Sequence, residues 1–185
     1  MNYQRKHRFY IMNQNNGDGI YMNSIWGPEN YISYEEKGTP PPEHLTNILG
    51  LRMNDIVFHY WNDCIRTISI IQSDKWQKCN MPEDISMIEE SKKWTKNGYI
   101  VKTYNRPILI PINVKDDKYR SRLIGMKNGF FNASGSISRS SFLHRMYKEV
   151  GLDILSDIIE LNEPIFSKSE IEWYRSVYNS ETTES

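Results

Sequence analysis

Residues 55–71 read DIVFHYWNDCIRTISII, and this stretch decides the fold. Two runs rich in β-branched and aromatic residues, 55–61 and 65–71, flank the turn-forming pair Asn62-Asp63. Strands favour such side chains, and a short Asn/Asp turn between two such runs is typical of a β-hairpin. The stretch therefore predicts two antiparallel strands joined by a tight turn.

The segments on either side of the hairpin predict more strands first and helices afterwards. Extended apolar runs predict strands at 8–12, 98–104 and 107–112, and the two prolines of the last run favour a sheet edge. Apolar residues recurring every three to four positions predict helices, and these lie at 115–126, 138–150, 152–161 and 171–178. Ser167 and Glu170 have the spacing of a capping box before the last helix. The pattern indicates an α+β fold with a mostly antiparallel, barrel-like sheet followed by helices.

The remaining segments predict loops, short turns and one domain. Polar loops are predicted at 13–19 and 129–138, a helical turn leading into a strand end at 20–26, a helical turn at 45–51, and a long loop with one helical turn at 75–93. The 185 residues suit one domain with a real core and contain no internal repeat. We expect this domain to span 1–179, followed by a disordered tail at 180–185.

Composition restricts the classes of protein that fit this chain. Lysine plus arginine and aspartate plus glutamate both number 23, so any contact with nucleic acid needs a local basic patch. The two cysteines, Cys64 and Cys79, form no paired motif, which favours a reducing, cytoplasmic setting. The four histidines match no zinc motif, and no stretch approaches the roughly 20 apolar residues of a membrane span. We expect no cofactor, no metal site and no membrane contact.

Enzyme signatures in the sequence are weak. Asp84, Glu90 and Lys92 resemble the two carboxylates and lysine with which some nucleases hold a metal ion, but they fall in a predicted loop or helix. No P-loop, no Gly-rich dinucleotide motif and no nucleophile elbow is visible. The sequence therefore favours a protein that is not an enzyme, with a metal-dependent nuclease as the less favoured alternative.

The tryptophans are the more informative side chains. Trp26 directly precedes Gly27-Pro28, and Trp61, Trp76 and Trp94 also lie at element ends or in loops. Lysines accompany two of them, at 75, 78, 92, 93 and 96. Aromatic rings can stack on a base while ammonium groups contact phosphates, so the combination suggests a nucleic-acid site. Rings that only fill the core of an interaction domain remain the alternative.

Two stretches resemble the YTH domains, the methyladenosine readers of the PUA/EVE-like superfamily. The first is RFYIMNQNN at 8–16, followed after a spacer by Ile25-Trp26; the second is KWTKNGYIV at 93–101. The hairpin sequence NDIVFHY at 54–60 is also similar to that of EVE domains and of the N-terminal modules of McrB-type restriction proteins. The resemblance covers 7–112 and implies a small β-barrel core over 1–112 with a helical extension over 113–179.

The resemblance also implies roles for individual residues. Trp26 and Trp94 are expected to face each other across a gap one base thick. Trp76 would replace a third ring of this cage, since Glu89 and Glu90 occupy the region where the family places it. Asn15, with Asn16 beside it, is expected to read the base edge. Lys96 is expected to hold a phosphate, with Lys75, Lys92 and Lys93 as weaker candidates.

The function that follows is the recognition of a modified base without catalysis. A methylated base, methyladenine or methylcytosine, would flip into the cage, and the substrate would be methylated DNA. The chain would serve a modification-dependent restriction or defence system whose motor and nuclease lie elsewhere. A module of the same fold that binds methylated RNA is the alternative.

Overall fold

The computed structural model describes residues 7–14, 23–87, 89–124, 130–137 and 142–182. Over these ranges the chain is an α+β fold in which a curled, mixed sheet of seven strands forms a half-barrel and helices cover both faces. The strands are β1 Phe9–Asn13, β2 Ser24–Pro28, β3 Ile56–Trp61, β4 Cys64–Ile71, β5 Gln77–Asn80, β6 Asn97–Asn113 and β7 Leu143–Arg145. The helices are α1 Ile32–Glu35, α2 Glu43–Gly50, α3 Glu83–Ser86, α4 Asp117–Ile124, α5 Lys148–Asn162 and α6 Lys168–Thr182, with 3-10 turns at Glu89–Lys93 and Glu163–Ile165.

The predicted hairpin is confirmed as β3 and β4. The strands pair antiparallel from Ile56 opposite Ile70 to Trp61 opposite Cys64. Asn62 and Asp63 both have positive φ angles, 49° and 66°. Two-residue hairpin turns need this left-handed conformation, which asparagine and aspartate tolerate better than most residues. The sequence therefore predicted both the hairpin and its turn correctly.

Strand β6 corrects the prediction of two separate strands. Residues 97–113 form one strand of 17 residues, paired with β2 and β5 at its start and with β4 along the rest. The register with β4 shifts between Ile65 and Thr67, so that 108–111 leave the ladder. There the side chain of Asn162 accepts from the Ile110 N–H at 2.7 Å and donates to its C=O at 3.1 Å. The proline-flanked segment thus has an open side, as predicted, and a helix side chain caps it.

Strand β7 corrects the predicted helix at 138–150. Residues 143–145 pair antiparallel with β1, and α5 begins only at Lys148. Residues 138–141 lie outside the described residues. The apolar spacing that favoured a helix here was outweighed by the free edge of β1, which offers backbone partners that only the folded chain provides. The sheet order is β2-β6-β4-β3-β1-β7, and it therefore draws on chain beyond residue 112.

Other predictions were confirmed in one case and corrected in two. The predicted loop at 75–93 contains the strand β5, which the sequence does not reveal because its four residues are polar and mostly exposed. The capping box is confirmed: the Ser167 N–H donates to Glu170 Oε2 at 2.8 Å, and the Glu170 N–H donates to Ser167 Oγ at 3.2 Å. Helix α6 runs on through 180–182, while 183–185 lie outside the described residues. In the described ranges no helix is both long and apolar enough to cross a membrane.

Two hydrophobic cores lie on opposite faces of the sheet. The α5 face carries Phe9, Phe58 and Ile68, covered by α4, α5 and α6. The α2 face carries Ile25, Val57, Ile71 and Val101, covered by α2 and by Phe142. Side chains alternate along a strand, so β1 supplies one core with Phe9 and Ile11 and the other with Tyr10 and Met12.

A polar network lies on the α2 face where the apolar core stops. His59 Nε2 is 2.5 Å from Ser69 Oγ, and Asn105 Oδ1 accepts from Ser69 at 2.6 Å and from Thr103 Oγ1 at 2.7 Å. Since the Ser69 proton goes to Asn105, His59 Nε2 is the donor to Ser69. His59 and Ser69 are almost fully buried, and burial lowers the pKa of His59 from 6.5 to about 4.

Helix α5 packs so closely on the sheet that a glycine-to-alanine change, which normally stabilises a helix, is expected to destabilise the protein. A Cβ on Gly151 would lie 2.3 Å from Cγ of Phe9. We expect Gly151→Ala to lower the free energy of unfolding by about 1–3 kcal/mol, because the clash exceeds the gain in helix propensity. Gly50→Ala in α2 is the matched control, since its nearest atom is 3.8 Å away, and it should be neutral or stabilising. Urea unfolding measures both, and a Gly151→Ala variant as stable as the control would contradict this packing.

Burial of neutral His59 predicts a loss of stability in acid. The folded-state pKa is depressed, so the unfolded chain binds more protons below pH 6.5, and stability falls as the pH drops towards 4. Between pH 7 and pH 5 this group removes about 2 kcal/mol, and we expect His59→Gln to weaken that dependence by the same amount. Burial also lowers the pKa of His44 to about 4, but His44 is present in both wild type and variant. Its contribution therefore cancels when their pH slopes are compared. Equal pH slopes in urea unfolding of wild type and variant would show that His59 is not the titrating group.

Candidate functional site

Trp26 lies on the edge strand β2 and points away from the α2 core. It pairs with Ile100 of β6, while its neighbours Ile25 and Gly27 face α2 and Phe142. Trp26 is nevertheless only 1 % exposed. It is therefore buried outside both hydrophobic cores, and other contacts must enclose it.

Trp94 is held beside Trp26 by a short backbone zipper that prolongs the pairing of β2 with β6. The Glu29 N–H donates to the Asn97 carbonyl at 2.9 Å, and the Thr95 N–H donates to the Asn30 carbonyl at 3.0 Å. The Asn30 N–H donates to Thr95 Oγ1 at 3.1 Å. One isolated bridge then pairs Tyr31 with Trp94. The backbone of Trp94 is fixed, and its half-buried side chain makes ring contacts.

The two indoles are adjacent but do not form an open slot. Their ring centroids are 6.2 Å apart and their planes make an angle of 42°. A base inserted between two rings needs them parallel and about 7 Å apart, twice the usual stacking distance. The predicted geometry of facing rings with a gap one base thick is therefore wrong for this structure, although the predicted neighbourhood of Trp26 and Trp94 is present.

Gly98 determines how closely Trp26 lies against the sheet. A Cβ at this position would be 2.5 Å from Trp26 Cζ2 and 2.3 Å from the Gly27 carbonyl oxygen. Only a residue without a Cβ lets β6 pass so close to both the ring and the backbone of β2. The Gly of the KNGYIV motif thus serves the packing of Trp26.

Sequence reasoning missed one ring of this cluster. Phe142 lies against Trp94, with centroids 6.2 Å apart at 71°, and also approaches Gly27. It lies just before β7, in the region predicted as helix, and no local signal marks it. A histidine pair continues the aromatic surface, since His44 of α2 stacks on His144 of β7 at 5.7 Å and Tyr31 Oη lies 3.0 Å from His44 Nε2.

The structure does not bring Trp76 to this cluster. Trp76 packs edge-on against Tyr99 with centroids 4.8 Å apart, and Tyr99 lies on the α2 face, opposite Trp26. Lys92, Lys93 and Lys96 flank Trp94 in the chain and are exposed. Lys75 is also exposed but precedes β5, whose far end pairs with Asn97. At about 3.3 Å per residue, β5 separates Lys75 from the other lysines by about 10 Å.

The structure describes only some of the polar groups that could contact the edge of a bound base. Asn15 and Asn16 lie outside the described residues. Within the described ranges, the indole N–H of Trp26 is buried and has no hydrogen-bond partner. Buried indole N–H groups normally find an acceptor, so this donor is the notable polar feature of the site.

The structure describes the side chains of two of the three candidate catalytic residues. Asp84 lies on α3 and Lys92 on the following 3-10 turn, while the side chain of Glu90 is outside the described set. The described residues contain no group of three or more histidine, cysteine or acidic side chains suited to a metal. His59 and Ser69 form the one serine–histidine contact seen in these ranges, but Ser69 is fully buried and gives its proton to Asn105.

Comparison with known proteins assigns no family to this chain. No family model matches it, and no curated protein matches it in sequence.

The close approach of Gly98 makes a specific prediction about Trp26. We expect Gly98→Ala to displace the indole, lower the free energy of unfolding by about 1–3 kcal/mol and shift tryptophan emission to longer wavelength. Asn97→Ala, which changes an exposed neighbour, is the control and should leave the emission unchanged. Thermal unfolding and fluorescence spectra measure both effects. An unchanged spectrum in Gly98→Ala would contradict the packing of Trp26 on β6.

Proposed function

We propose that this protein is a non-catalytic reader that takes a methylated base, in DNA, against the aromatic cluster of Trp26, Trp94 and Phe142. The observation that carries the proposal is the adjacency of Trp26 and Trp94, together with the exposed lysines 92, 93 and 96 that flank Trp94 in the chain. Aromatic faces beside ammonium groups are the usual equipment for an unstacked base and its phosphates. The half-barrel fold is compatible with the PUA/EVE-like identity that the sequence motifs suggest.

The site opens, in this proposal, by rotation of the Trp94 side chain. Its ring makes aromatic contacts with Trp26 and Phe142, while the hydrogen bonds of the zipper involve only backbone atoms and Thr95. Rotation of the Trp94 side chain would uncover Trp26 without breaking the zipper. The base would then enter by induced fit, with Trp94 closing over it.

The energies set the scale of selectivity. Extrusion of a base from a duplex costs a few kcal/mol, and stacking on an aromatic ring returns about 1–3 kcal/mol. The methyl group adds about 0.8 kcal/mol on burial, which is about fourfold in affinity. Larger discrimination needs hydrogen bonds to the base edge, so the polar groups of the site decide the specificity.

The wider role proposed is target recognition in a modification-dependent restriction or defence system whose motor and nuclease are separate. Methylated RNA is the alternative ligand, which a preference for RNA over DNA of equal sequence would reveal through 2′-hydroxyl contacts. A magnesium- or manganese-dependent nuclease is the less favoured alternative, and a cleavage assay tests it.

Replacement of single tryptophans tests the proposal. We expect Trp94→Ala to weaken binding of a methylated oligonucleotide by about 5- to 150-fold, the loss of one stacked ring, and to abolish its preference over the unmodified oligonucleotide. Trp61→Ala, at the exposed end of β3, is the matched control and should bind as wild type does. Fluorescence anisotropy at one stated salt concentration measures all affinities.

Trp76→Ala distinguishes the site of this structure from the cage expected from sequence. Because Trp76 lies with Tyr99 on the opposite face, its loss should leave the methyl preference intact. Unchanged preference in Trp94→Ala would contradict the proposed function. Loss of preference in Trp76→Ala would move the site to the Tyr99 face.

A further inference from the structure

The buried indole N–H of Trp26 is a hydrogen-bond donor without an acceptor. Trp26 is 1 % exposed, and its Nε1 has no partner among the described residues. An unsatisfied buried donor destabilises the folded protein, and such donors are rare in native structures. This donor lies in the aromatic cluster that carries the proposed function.

The ring of Trp26 is poorly placed to serve as a stacking face. Gly98 packs against its six-membered ring, where a Cβ would lie 2.5 Å from Cζ2 and 2.6 Å from Cε2, so β6 occupies this part of the ring. The Trp94 ring is tilted against it by 42° and is not parallel. Because Cε2 is bonded to Nε1, the contact with Gly98 lies close to the donor.

We infer that Trp26 is a hydrogen-bond donor that reads the identity of the bound base, and that Trp94 alone supplies the stacking face. The inference rests on the proposed function. The indole N–H would donate to an unprotonated ring nitrogen or a carbonyl oxygen on the base edge. N1 of methyladenine and N3 or O2 of methylcytosine are acceptors of this kind. The satisfied donor recovers on binding the free energy that the unliganded site forgoes.

Indole proton signals of the intact chain test the inference directly. The chain has five tryptophans, and the indole resonance of Trp26 is assigned through its proximity to Gly98. Single-stranded DNA carrying one N6-methyladenine, one 5-methylcytosine or neither is added at fixed salt. We expect the Trp26 indole proton to move downfield and to exchange more slowly with water when the methylated strand binds.

The outcomes separate this inference from the proposed function. Binding that moves the Trp94 signal and leaves the Trp26 indole proton unchanged overturns the donor role alone. Absence of binding to every strand overturns the proposed function, and the donor role with it. Downfield movement of the Trp26 proton with the methylated strand supports both.

Conservative substitutions of the two tryptophans provide a second test of the donor role, through binding affinity. Trp26→Phe keeps an aromatic ring but removes the donor, and we expect about 3- to 10-fold weaker binding of the methylated strand. Trp94→Phe, which keeps a stacking face, should lose less. Thermal unfolding establishes that each variant is folded, and if Trp26→Phe is not, the indole signals of the wild-type chain decide. Wild-type affinity in a folded Trp26→Phe variant overturns the inference.

Discussion

The pairing of one long strand, β6, with three others is the constraint on which the rest of the structure depends. Its first residues join β2 and β5, and its later residues join β4 and, through β4, the hairpin and β1. The strand therefore links the aromatic cluster to the main body of the sheet. Gly98 lies near its start, where β6 passes within contact of the Trp26 ring and the β2 backbone. The position of Trp26 is consequently fixed by the same ladder that builds the half-barrel.

The two faces of the sheet are covered in different ways. The α5 face is covered by three helices and holds the larger apolar core. The α2 face holds a second core and, beyond it, the buried network of His59, Ser69 and Asn105. Trp26 belongs to neither core, although it is as buried as their members. Its ring contacts the tilted indole of Trp94 and the backbone at Gly98.

Sequence predicted the local parts of this fold well and its long-range parts poorly. The hairpin turn at Asn62-Asp63 and the capping box at Ser167 and Glu170 depend on neighbouring residues, and both were correct. Strands β5 and β7 form because distant edges need partners, and their own residues carry little β signal. The neighbourhood of Trp26 and Trp94 followed from a resemblance in motif. The tilt of the rings, the role of Phe142 and the separation of Trp76 required the sheet register.

The central claim is that the aromatic cluster distinguishes a methylated base from an unmodified one. Its most direct test is the equilibrium dissociation constant of the wild-type chain for two DNA oligonucleotides that differ by a single methyl group, at one stated salt concentration. The account predicts at least about fourfold tighter binding of the methylated strand, the value of one buried methyl group. Equal dissociation constants for the methylated and unmodified strands, with either methyladenine or methylcytosine, would contradict it.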